Sequence, residues 1–210
     1  MFIMRVATVH DVELDELPSE LRSVLTAQDR AAIADSESYF AGLAERAEPK
    51  WLRRLLRKCA DSGYELQFLA YNDAPYRPYY RFFWEGQPAV SLPRTKRLRS
   101  DLPPFLRHVY GLLGSVRENQ FDESGGLHPG DTLGPVSETG MWVEPDGTID
   151  QETAIPFLET FSGSQLCYLP DGTGAWLEAS HFRKVRSLER EVAKYFEALV
   201  RGERALLDRD

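Results

Sequence analysis

Gln165-Leu166-Cys167-Tyr168-Leu169-Pro170-Asp171-Gly172-Thr173-Gly174-Ala175-Trp176-Leu177 is the stretch that decides the fold class. An apolar run rich in strand formers meets Pro-Asp-Gly-Thr-Gly, and a second short apolar run follows. Proline presets the backbone for a turn, Asp bonds to its own main chain, and Gly accepts a positive φ. The reading is a strand–turn–strand pair, and such a pair is antiparallel. Gly172-x-Gly174 is therefore a turn and not a dinucleotide fingerprint, which needs a third glycine and a following helix. From about Ser187, Leu188, Val192, Tyr195, Phe196, Leu199 and Val200 repeat at helical spacing, which predicts a terminal amphipathic helix.

Upstream the same two periods recur. Leu102-Pro103-Pro104 opens a helix through Phe105, Leu106, Val109, Tyr110, Leu112 and Leu113 that stops near Gly114. Tyr64–Tyr71, Tyr79–Trp84 and Pro88–Leu92 read as three strands. Before them the pattern is helical. Pro18-Ser19-Glu20 starts a short helix, and Thr26 with Asp29 forms a variant capping box for a longer one through Tyr39, Phe40 and Leu43. Pro49 starts a third, with Trp51, Leu52, Leu55, Leu56 and Cys59 on one face and Asp61-Ser62-Gly63 as its stop. Met141–Val143 and Ala154–Leu158 are short strand candidates. The fold class is α+β, an antiparallel or mixed sheet with helices on one face and an N-terminal helical extension. The expected division is a helical region over 1–63 and an α+β domain over 64–210, with one compact domain overall as the alternative.

The chain has 210 residues, 25 Lys and Arg against 33 Asp and Glu, and a formal net charge of −8. That balance argues against a general duplex-DNA binder, which needs excess positive charge. The charge is uneven. Residues 118–152 hold nine acidic side chains and no Lys or Arg, whereas residues 50–107 hold twelve basic and five acidic ones. No run reaches the roughly 18 to 20 apolar residues of a membrane span, and the N-terminal apolar run is too short for an export signal. The expected location is cytoplasmic. Cys59 and Cys167 each sit in an apolar setting and read as buried reduced thiols.

No motif calls for a cofactor or a metal. His10, His108, His128 and His181 lack metal-ligand spacing, and the nearest approach is His128 with Asp131. No G-x-S-x-G elbow is present. Glu178 and His181, three apart, are the one acid–base pair that an enzyme would use. Tyr76 to Trp84 places aromatics beside Arg77 and Arg81, near the basic Arg94–Arg99 cluster. A nucleic-acid surface would have that composition. A buried strand whose Arg stems cover its rim has it too.

From Leu102 to about Val200 the chain resembles the SUKH superfamily, which holds fungal cell-wall-assembly regulators and many proteins of bacterial polymorphic-toxin loci. The likeness rests on the helix opened by Leu102-Pro103, on Ile155-Pro156-Phe157 leading through Ser162-Gly163-Ser164 to Gln165–Leu169, and on Asp171-Gly172, Trp176 and the terminal helix. It implies an α+β binding domain without catalytic residues, and for bacterial members an immunity protein that neutralises a cognate toxin. The acidic segment then becomes the expected partner site, with Asp122, Glu123, Asp131, Glu138, Glu144 and Asp146 facing a basic toxin domain and Trp142 as an apolar anchor. The alternatives are a regulatory scaffold of the same fold, a small-ligand enzyme using Glu178 and His181, and a nucleic-acid module using Arg94–Arg99.

Overall fold

A computed structural model of the chain describes residues 4–9, 13–72, 74–84, 87–93, 98–118, 125–128, 130, 132–140, 143, 149–160 and 162–202. Its contacts divide it into two compact units, Met1–Arg94 and Thr95–Asp210. The division expected between residues 63 and 64 falls inside the first unit, because the strands after Gly63 pair with a strand at the N-terminus.

In the first unit, β1 (Met4–Val9), β2 (Tyr64–Tyr71), β3 (Arg77–Trp84) and β4 (Gln87–Pro93) form an antiparallel meander. Between β1 and β2 lie α1 (Ser19–Ser23), α2 (Ala27–Ala34), α3 (Ser36–Arg46) and α4 (Lys50–Ala60). The single long helix expected after Thr26 is broken at Asp35. Its carboxylate accepts the Ser38 amide at 3.0 Å and caps a new helix, because Asp competes better for free amides at a helix start than inside one. The α4 stripe is as read: Trp51, Leu52, Leu55, Leu56 and Cys59 are buried.

Period-two alternation sorts β3. Tyr80, Phe82 and Trp84 share the face that meets the helices: the Phe40 ring of α3 stands edge-on to Phe82 at 4.9 Å and to Tyr80 at 6.0 Å. Lys58 of α4 lies 4.2 Å over Trp84. On the other face Arg81 covers Phe83 and pairs with Glu65 at 3.6 Å. The aromatic run is thus a packed strand with Arg stems on its rim.

The second unit is also antiparallel. Its strands are β5 (Val116–Glu118), β6 (Gly125–Leu127), β7 (Ile155–Glu159), β8 (Gln165–Tyr168), β9 (Gly174–Glu178) and β10 (His181–Val185). Two helices accompany them, α5 (Pro104–Leu113) and α6 (Leu188–Arg201). The β8–β9 hairpin is where the turn residues place it. Asp171 accepts from the Thr173 amide at 2.9 Å and hydroxyl at 2.6 Å, and Gly172 has φ 81°. Gly174 opens β9 because a Cβ there would collide with the Leu188 side chain of α6 and approach the Cys167 carbonyl at 3.1 Å. The α6 stripe is buried through Leu188, Val192, Tyr195, Phe196 and Leu199, and its Glu191 accepts from the Trp176 indole at 3.2 Å. Both cysteines are free and buried. Burial pushes both thiols up, Cys167 to about 12. No helix among the described residues is long and apolar enough to cross a membrane.

Candidate functional site

A cleft of about 920 Å³ opens in the second unit. The starts of α5 and α6, the end of β8 and the Pro170–Thr173 turn line it. Its walls are mainly apolar: Leu102, Phe105, Ile155, Leu169, Val185 and Leu188.

Local sequence leaves hydrogen-bonding capacity at this cleft. Helix α5 begins Pro103-Pro104, and Pro103 in the capping position has no side chain to accept an amide. Pro104 has no N–H, so the Phe105 amide is the first donor there without an intrahelical acceptor. Tyr168, only 4% exposed, ends β8 and lines the cleft. Its hydroxyl is buried with no hydrogen-bond partner among the described residues. Burial raises this phenol above its ordinary value, with Arg99 opposing, so the group keeps its proton at neutral pH and can donate.

Arg99 and Asp101 stand beside it in a two-pronged pair, Nε to Oδ1 at 2.9 Å and Nη2 to Oδ2 at 2.7 Å. Arg99 Nη1 also donates to the Leu133 carbonyl at 2.7 Å. Asp101 thereby neutralises the one described residue of the Arg94–Arg99 cluster that reaches the cleft. The hydrogen bonds from Arg99 hold the Asp101 carboxyl below its ordinary value, and those from Thr173 do the same for Asp171. A carboxylate with a depressed folded value contributes stability at neutral pH that is lost as pH falls through that value. Thermal melts should therefore decline between about pH 5 and pH 2, and Asp101→Asn should flatten part of that decline.

The acidic segment borders this cleft at its C-terminal end. Glu152 lines it and accepts from Ser137 at 3.0 Å. Glu138 lies close enough to Arg99 to raise it. Glu138, Asp150, Glu152 and Glu189 are all exposed. Of the expected partner residues only Glu138 is described; Asp122, Glu123, Asp131, Trp142, Glu144 and Asp146 lie outside the described residues, as do Met141 of the short strand expected there and Arg94, Lys96 and Arg97.

In comparisons with family models, curated proteins and solved structures, none matches the chain. The site is accordingly read from its own chemistry.

The expected acid–base pair lies away from this cleft. Glu178 and His181 face each other across the β9–β10 turn, but Glu178 is taken by Arg183 at 2.6 Å and neither residue lines this cleft or the one in the first unit. His128 approaches Glu159 at 3.6 Å, and no metal-holding group of three His, Cys, Asp or Glu occurs among the described residues. Sequence reasoning missed Tyr168, Arg99 and Asp101 as neighbours. The available signal was the Pro103-Pro104 start, a helix opening that supplies no cap of its own.

Proposed function

We propose that this chain is a non-catalytic protein-binding domain of SUKH type that acts as an immunity protein, holding a basic toxin domain at the α5/α6 cleft of its second unit. One observation carries the reading. An open, mainly apolar cleft is lined by Tyr168, whose buried hydroxyl has no partner among the described residues, and its acidic edge includes Glu152 and Glu189. An apolar anchor from the partner fills the walls and brings an acceptor to Tyr168, and basic residues around the anchor meet the acidic edge. Desolvated apolar anchors dominate binding energy, and rim charges mainly govern association rate and partner choice.

The test is to look for a toxin gene beside this one, co-express its product with this chain, and measure binding of the purified pair. Tyr168→Phe should leave stability unchanged or slightly raised, since it removes a hydroxyl with no partner, and weaken binding about tenfold. Glu152→Lys with Glu189→Lys should slow association and reduce its salt dependence. Undiminished protection and binding in all three substitutions together would remove the cleft from the function. A housekeeping partner on the same cleft, with no toxin gene nearby, would replace immunity by a regulatory scaffold role.

A further inference from the structure

Strand β1 ends the sheet of the first unit, and among the described residues it pairs with β2 alone, in unbroken register from Met4↔Tyr71 to Val9↔Leu66. An unpaired edge offers a row of N–H and C=O groups, and proteins guard such edges with charges, prolines or bulges. The edge strand of the second unit, β10, carries two such charges, Lys184 and Arg183, both exposed, with Arg183 held by Glu178 of β9. Strand β1 has no proline and no bulge. Its one charge, Arg5, is turned back over the β2–β3 connection, donating to the Ala74 carbonyl at 3.1 Å and lying 4.9 Å over the Tyr76 ring. Val6, at 42%, is one of two exposed large hydrophobic residues among those described.

We propose that β1 is a self-association edge, through which two copies of this chain pair antiparallel about a two-fold axis and continue the sheet from one copy into the other. Such an axis stands perpendicular to the sheet, so residues on the same face oppose each other. Two registers centre on the strand. One sets Val6 against Val6, Arg5 against Ala7 and Met4 against Thr8. The other sets Ala7 against Ala7, Val6 against Thr8 and Arg5 against Val9. Neither opposes like charges. The same operation on β10 sets Arg183 against Arg183 or Lys184 against Lys184 in two of its three central registers. Charge therefore admits the pairing at β1 and disfavours it at β10. The contact is isologous and closed, which stops at a dimer instead of growing into a fibre.

Light scattering on the full chain over a wide concentration range tests this. The wild type should rise from 23.9 kDa towards twice that mass. Val6→Lys with Thr8→Lys opposes lysines in both registers at two exposed positions, and should weaken the dimer about fivefold or more with unchanged circular dichroism. Val6→Lys with Thr8→Glu opposes Lys to Lys in the first register and Lys to Glu in the second. It should therefore weaken the dimer in one case and tighten it in the other. Backbone hydrogen exchange of the unsubstituted chain is independent of any variant's folding: amides of residues 4–9 should gain protection as concentration rises. A wild type that stays monomeric overturns the proposal. So does a dimer that both double variants leave unchanged, or one that forms without added protection of β1.

Discussion

Phe40→Ala lowers the stability of this protein by about 3–5 kcal/mol. Phe40 is buried in α3 and holds that helix to the sheet. Its ring stands edge-on to Tyr39 at 5.2 Å, to Phe82 at 4.9 Å and to Tyr80 at 6.0 Å. Truncation loses the transfer energy of a whole ring and leaves a cavity between a helix and a strand that cannot collapse independently. The edge-on contacts add roughly 0.5–1.5 kcal/mol each beyond the area buried, and they disappear together. Native stabilities are about 5–15 kcal/mol, so this one change removes a large share. Denaturant unfolding should show a lower midpoint with little change in slope. Phe40→Leu keeps most of the volume and should cost far less. A loss below about 1 kcal/mol for the alanine variant would mean that α3 does not pack on β3 as described.

What was legible in the sequence follows the range of the interactions. The β8–β9 hairpin was readable because its turn chemistry is local: Asp171 and Thr173 satisfy each other within three residues. The α4 and α6 stripes were readable because burial on one helix face repeats at a fixed spacing. Strand β10 was not, since its exposed His181, Arg183 and Lys184 lack the apolar alternation of a half-buried strand, and its turn places Ala179 at φ 54° without a glycine to announce it. Strand β1 reads in sequence as a short apolar start, because its partner, β2, lies beyond four helices. The break at Asp35 turned on one side chain finding one amide. The site was least legible: Tyr168 reads as an ordinary strand residue, and only the fold brings it beside Arg99 and Asp101.

Asp29 joins the two kinds of reading, and its substitution is the second large effect. Its local role was visible: Thr26 Oγ1 accepts from the Asp29 amide at 3.2 Å, and Asp29 Oδ2 accepts from the Thr26 amide at 2.9 Å. Its burial was not. Asp29 is 1% exposed, and its other carboxylate oxygen accepts from the Tyr80 hydroxyl of β3 at 2.9 Å. One carboxylate thus starts α2 and ties it to the sheet. Asp29→Ala gives up the returning half of the capping box, at about 1 kcal/mol. It also takes from a buried phenol its shorter acceptor, leaving the 3.3 Å contact to the Asp29 carbonyl, at roughly 1–3 kcal/mol. The expected loss is about 2–4 kcal/mol in total. Tyr80→Phe alone removes the same hydrogen bond from its donor side, so the two changes should not add. With both made, the shared bond is lost once and not twice, and the double variant should recover about 1 kcal/mol or more of the summed single losses. Urea unfolding of the four proteins in the cycle measures this coupling. Strict additivity would mean that the Asp29–Tyr80 bond contributes nothing and that the carboxylate acts as a helix cap alone.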